Sequence, residues 1–183
     1  MKNIFLAVIT LLLFVSCKED PKKQETEEVA VEEQINPNFI VEVFAYASQK
    51  DDFALYFTED NTIEFKPEQA IWCGIEAAKA GQRVYFEVPE ERLPTHLRLD
   101  FGLNKAQDSV IIEKIKLNYL KNSFEFKGSE FFKYFNQEAS FKTRIDDKNG
   151  SLVLYKNGNE YKTPFFYPND SLVKQVKTLL TAK

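Results

Sequence analysis

Apolar and polar residues alternate in short runs along most of this chain, the two-residue period of half-buried strands. The alternation begins at Phe39-Ile40-Val41-Glu42-Val43-Phe44 and returns in Phe53-Ala54-Leu55-Tyr56-Phe57. Arg83-Val84-Tyr85-Phe86-Glu87-Val88 follows, closed by Pro89. Over 95–101, Leu97, Leu99 and Phe101 share one face and His96, Arg98 and Asp100 the other. The run 110–119 is long and β-rich, and a regular strand there puts Ile111, Ile115, Leu117 and Tyr119 on one side. Further strand candidates are 124–126, 140–145, 152–155 and 160–167.

Between these runs stands turn chemistry. Asp147-Lys148-Asn149-Gly150 and Asn157-Gly158 tolerate positive φ, and the second pair suits a tight hairpin. Short strands with frequent turns and no internal repeat predict a mostly β fold, an antiparallel β-sandwich. Two helices decorate it. Ser129 can cap a short internal one running to Asn136, with Phe131, Phe132 and Phe135 inward. Asn169, Asp170 or Ser171 can cap a C-terminal helix whose stripe is Leu172, Val173, Val176, Leu179 and Leu180. The segment 67–81 is ambiguous. Its Pro, Ala, Glu and Lys suit a helix, whereas the alternation Ile71, Cys73, Ile75 suits a strand.

Composition sharpens this picture. The 183 residues include 17 Phe and 8 Tyr, so a body of about 150 residues (37–183) has ample apolar area for a core. It should fold without disulfides. The net charge is −4, and seven acids stand between Lys18 and Asn36. From Pro37 onward 20 basic side chains face 21 acidic ones, so the body is near neutral. That excludes the clustered basic footprint on which nucleic-acid binding depends.

The N-terminus carries an address. Met1-Lys2-Asn3 is a short positive region, and 4–15 is apolar except for Thr10. About a dozen apolar residues match a signal peptide, while a membrane span needs about twenty. The run ends at Phe14-Val15-Ser16-Cys17, before Lys18-Glu19-Asp20. Phe14 is wrong for an ordinary leader, which has a small residue there. These four residues resemble the lipobox of bacterial lipoproteins, although Leu is usual where Phe14 stands. The resemblance implies removal of 1–16 between Ser16 and Cys17 by the lipoprotein export and processing machinery, and a lipid on Cys17 that holds the chain to a membrane. Lys18-Glu19-Asp20 resembles the export signal of surface lipoproteins in Bacteroidetes-type bacteria, which implies the outer membrane and its exposed side. The rest of 17–36 is acidic and free of aromatics, the composition of a disordered tether.

Val84-Tyr85-Phe86-Glu87-Val88-Pro89, Leu97-Arg98-Leu99-Asp100-Phe101-Gly102 and Ile115-Lys116-Leu117 together resemble galactose-binding-like jelly rolls. The likeness covers about a third of the body, implies a jelly-roll-like sandwich and favours a strand within 67–81. Fold alone does not imply function.

Candidate chemistry is sparse. Asp100-Phe101-Gly102 spells the kinase metal triplet, but no Gly-rich loop accompanies it, so it reads as a strand end. Residues 146–150 fail the register of a calcium loop at Ile145 and Lys156 and read as a tight turn. No metal or cofactor is expected. His96, the single histidine, could join Arg98 and Asp100 in a polar trio, although such a stripe is more often the solvated face of a strand. Cys73 has no partner once Cys17 is lipidated and reads as a small hydrophobe. Trp72 with Tyr46, Tyr56, Tyr119, Tyr161 and Tyr167 could stack against sugar rings or pack in the core. Asp108-Ser109-Val110 and Asp170-Ser171-Leu172 resemble O-glycosylation sites of the same bacterial group, which implies modification of Ser109 and Ser171. The expectation is a non-catalytic binding module for a glycan or an envelope protein, with Trp72, His96, Arg98 and Asp100 as its ligand-contacting candidates. The alternatives are a polysaccharide-active enzyme using carboxylates such as Glu87 or Asp100, and an envelope-assembly factor.

Overall fold

Alternating burial along the chain resolves into ten strands and one α-helix among the described residues. A computed structural model describes residues 36–182 except 79, 157 and 159–161. The strands are β1 (Ile40–Ala47), β2 (Asp51–Thr58), β3 (Ala70–Ile75), β4 (Gln82–Glu87), β5 (His96–Phe101) and β6 (Ser109–Tyr119). They continue with β7 (Asn122–Lys127), β8 (Lys142–Asp146), β9 (Ser151–Tyr155) and β10 (Phe165–Phe166), before helix α1 (Asp170–Thr181). The strand pairings are antiparallel and form two sheets. The larger runs β4-β1-β6-β9-β8, with β7 also beside β6, and the smaller runs β10-β5-β2-β3. This is the expected antiparallel sandwich.

The core lies between the sheets. Phe53, Leu55 and Phe57 of β2 and Leu97, Leu99 and Phe101 of β5 cluster with Val41, Val43, Ile115 and Leu117 of the larger sheet. Burying each of the larger side chains contributes about 1.5–3 kcal/mol. Phe131 stacks on Phe135 at 4.5 Å and meets Phe101 and Phe166 edge-on, closing one end. The helix α1 buries Leu172, Val176 and Leu179, and its cap is Asn169, whose side chain accepts from the N–H groups of Ser171 and Leu172.

The local expectations meet different outcomes. The internal helix is a single 3-10 segment, Gly128–Lys133, and Ser129 does not cap it. Its start is pinned to the seam between β6 and β9, because a Cβ on Gly128 would lie 1.9 Å from the Ile112 carbonyl oxygen. The segment 67–81 begins with a 3-10 turn, Pro67–Gln69, and continues as β3, so its alternation wins over its helical composition. Among the described residues of the run 160–167 the strand is β10 alone, bracketed by Pro164 and Pro168, which cannot donate to a ladder. The Asn157-Gly158 hairpin lies outside the described residues apart from Gly158, at φ +63°. The lipobox, the Lys18-Glu19-Asp20 signal and the tether also lie outside them.

The largest correction is in β6. Phe44 pairs with Lys114 and Ala45 with Ile112, so Glu113 is an extra, bulged residue. A bulge reverses the alternation beyond it. Ile115 and Leu117 therefore face the core, whereas Ile111 faces outward opposite Tyr46, and Val110 and Ile112 take the buried side.

Candidate functional site

The outer face of the smaller sheet brings together three of the expected ligand contacts. Ala54 of β2 lies between Trp72 of β3 and Asp100 of β5, and Tyr56 pairs with Arg98. Arg98 donates through Nε to Asp100 Oδ1 at 2.8 Å and through Nη2 to Oδ2 at 2.6 Å. The rings of Tyr56 and Phe165 each lie 4.7 Å from the guanidinium carbon, and that of Tyr167 lies at 5.4 Å. The two charged side chains are only 18% and 8% exposed. Burial pushes the Asp100 carboxyl up, and the Arg98 hydrogen bonds oppose this. The expected solvated stripe is thus a roofed ion pair. His96 does not join it, since its Nδ1 meets Thr95 Oγ1 at 3.2 Å. Trp72 is 48% exposed and stands edge-on to Tyr56 at 6.5 Å.

The remaining candidates scatter. Glu87 lies on the larger sheet and Asp100 on the smaller, so they do not form a carboxylate pair on one face. Glu87 accepts from the side chains of Asn36 and Asn38, which hold its carboxyl below the usual range. Cys73 packs against the core. Ser109 opens β6, and Ser171 is exposed in the first turn of α1. Asp146 accepts from the backbone and side chain of Asn149, and Gly150 sits at φ +68°, as a tight turn requires. Among the described residues no three His, Cys, Asp or Glu side chains are placed to hold a metal. Tyr161 lies outside the described residues.

The larger sheet carries a groove of about 490 Å³ on its outer face, across β1, β6, β9 and β8. Ile111 and its partner Val153 form the floor. Tyr46 and Tyr155 stand at its two sides, with Ser109, Ser151 and Asn149 between polar rims. On one rim the Tyr46 hydroxyl donates to Glu113 Oε1 at 2.9 Å, and this carboxylate raises the pKa of the phenol. On the other, Arg144 Nε donates to the Tyr155 hydroxyl at 3.0 Å, and Lys142 Nζ lies 5.5 Å from the same ring. Asp146 completes this rim, its carboxyl held below the usual range by Asn149. The groove therefore offers ring faces, an apolar floor, charged donors and charged acceptors within one volume. That set suits a ligand with both hydroxyl edges and C–H faces.

Sequence reasoning missed this groove. The alternations Arg144, Asp146 and Ser151, Val153, Tyr155 are visible in the chain, but their convergence depends on the β8–β9 pairing and on the Glu113 bulge. No protein-family model matches the chain, and no curated protein or solved structure is significantly similar to it.

Proposed function

We propose that this chain is a surface-displayed bacterial lipoprotein whose sandwich binds a glycan, without transforming it, in the groove across β1, β6, β9 and β8. The observation that carries the reading is the groove itself. Two tyrosines flank an apolar floor, with Arg144 as donor and Glu113 and Asp146 as acceptors at its rims. A pyranose presents C–H faces to aromatic rings, and its hydroxyls donate and accept at once. Charges of both signs at the rims favour a neutral sugar over an anionic one. The volume falls within the range of about 300–1,000 Å³ typical of small-ligand sites.

The anchor rests on sequence alone. The short apolar run, the lipobox-like 14–17 and the following Lys18-Glu19-Asp20 support a lipid on Cys17 and a tether leading to the body. Mass spectrometry of the mature N-terminus tests it: a diacylated or triacylated Cys17 is expected, and Cys17→Ala leaves the leader in place. An unmodified terminus elsewhere ends the lipoprotein reading. Protease shaving of intact cells tests display, which alanines at Lys18, Glu19 and Asp20 should abolish.

The groove is tested by a glycan array and then by calorimetry on the best hit. Tyr155→Ala and Arg144→Ala should each weaken binding at least tenfold. Absence of any glycan signal at high protein concentration rejects the sugar and leaves an envelope protein or an assembly role. Hydrolysis is the second reading, because Glu113 and Asp146 flank the start of β9. Two strand spacings of about 4.8 Å separate their strands, near the upper end of the carboxylate separation of inverting glycosidases. Release of new reducing ends, lost in Glu113→Gln, would replace binding with catalysis.

A further inference from the structure

We infer that the free edge of β3 is a self-association surface, on which a second copy of this chain adds its own β3 antiparallel about a two-fold axis through Cys73. This goes beyond the glycan reading and concerns the other sheet.

An exposed strand edge invites pairing with another chain, and proteins usually blunt such edges with charge, proline or brevity. The other edges here are blunted. The strand β4 carries Arg83 and Glu87, β7 carries Glu125 and Lys127, β8 carries Lys142, Arg144 and Asp146, and β10 is two residues long between prolines. The strand β3 ends the smaller sheet and reads Ala70-Ile71-Trp72-Cys73-Gly74-Ile75, with no charge and no proline. Its one large outward side chain, Trp72, is 48% exposed.

Gly74 is the second, independent observation. Glycine inside a strand marks a bulge, a bend, or a close approach by another backbone or ligand. The register from Asp51↔Ile75 to Tyr56↔Ala70 is unbroken, so there is no bulge. Gly74 is absent from the positive-φ residues, and a Cβ there would meet only the Asp52 carboxylate at an ordinary 3.5 Å. Among the described residues nothing in the fold requires glycine at this exposed position. An approaching neighbour does.

A two-fold axis through Cys73 supplies that neighbour. It sets Trp72 of one copy opposite Gly74 of the other, both on the outer face, so that each indole covers a bare glycine. Cross-strand aromatic–glycine pairs of this kind stabilise sheets that contain glycine. The same axis pairs Ile71 with Ile75, and the pairing ends there, because the Ala70 N–H is bonded to the Pro67 carbonyl and the Glu76 N–H and C=O are bonded to the Gln82 side chain. The patch is self-complementary, as an isologous interface must be. Two four-stranded sheets would become one continuous sheet.

The test is thiol cross-linking of the full chain in its own membrane with a short bifunctional reagent. The expected result is a homodimer cross-linked through Cys73, absent in Cys73→Ser and reduced at least fivefold in Trp72→Lys and Gly74→Pro. Circular dichroism checks that the variants keep the sandwich, and if Gly74→Pro does not fold, Trp72→Lys decides. No Cys73 homodimer in the native chain overturns the inference. So does a dimer undiminished in Trp72→Lys, or a cross-link from Cys73 to a different protein.

Discussion

The two outer faces of the sandwich use the same ingredients to opposite ends. On the smaller sheet, Arg98 and Asp100 satisfy each other beneath Tyr56, Phe165 and Tyr167. On the larger sheet, Arg144 uses Nε to hold the Tyr155 hydroxyl, and the groove that it lines stays open. An arginine, an acid and tyrosines in alternating strands are therefore not a site in themselves. What separates the faces is how much polar capacity is left after the protein's own partners are counted. The closed face satisfies its own polar groups, whereas the open face leaves some of its polar groups facing the groove.

The largest expected effect breaks the closed face. Arg98→Ala leaves Asp100 buried without its partner, and losing one member of a buried pair costs about 3 kcal/mol or more. Urea denaturation measures it. The double change Arg98→Met with Asp100→Leu should recover most of the loss, because two apolar side chains of similar size incur no charge burial. Neither protein should differ from the native one in glycan affinity. Unchanged stability in Arg98→Ala would show that the pair is as hydrated as a surface salt bridge.

The open face should respond the other way. Tyr155→Ala and Arg144→Ala should change stability by about 1 kcal/mol or less, since both side chains sit at a solvent-facing rim. The tenfold loss in affinity expected of them corresponds to about 1.4 kcal/mol of binding free energy. A variant that lost binding and stability together would mean that the groove is part of the scaffold.

The difference between the faces was unevenly legible in the chain. Period-two alternation in β2, β4 and β5 was enough to read the sandwich and most of its inner face, because those strands are regular. Arg98 and Asp100 share a strand face in the period-two pattern, and they do meet, whereas Trp72 stands a strand away on β3, edge-on to Tyr56. What alternation does not carry is cover: Phe165 and Tyr167 arrive from sixty-odd residues away along the chain to roof the pair. The groove was hidden for a different reason. One extra residue, Glu113, turns Ile111 from an expected core position into a floor, and a bulge is invisible to a pattern that assumes regular pleats. The 3-10 segment at Gly128–Lys133 follows the same lesson, since its shape is set by the backbone it touches.

The smallest effect concerns protons, and it gives the two faces opposite signs. An aspartate in an unfolded chain titrates near pH 3.9. Asp100 is raised above its ordinary value by burial, with Arg98 opposing, so the folded state binds its proton more readily than the unfolded chain does. Its contribution to stability therefore improves as pH falls from its folded pKa toward about 3.9 and diminishes as pH rises again. Asp146 is lowered, first by the Asn149 side chain, so its stabilisation is present above about 3.9 and is lost as pH falls through its folded pKa. Asp146 lies at the surface, so its share of stability is small. Carboxyl-carbon NMR titration of the folded protein should place Asp100 above and Asp146 below an ordinary aspartate. Comparing each Asp→Asn variant with the native chain between about pH 2 and 6 should give stability differences that move in opposite directions on acidification. If both carboxyls titrate on the same side of 3.9, the faces are not divided by burial, and the contrast between closed pair and open groove fails at its physical root.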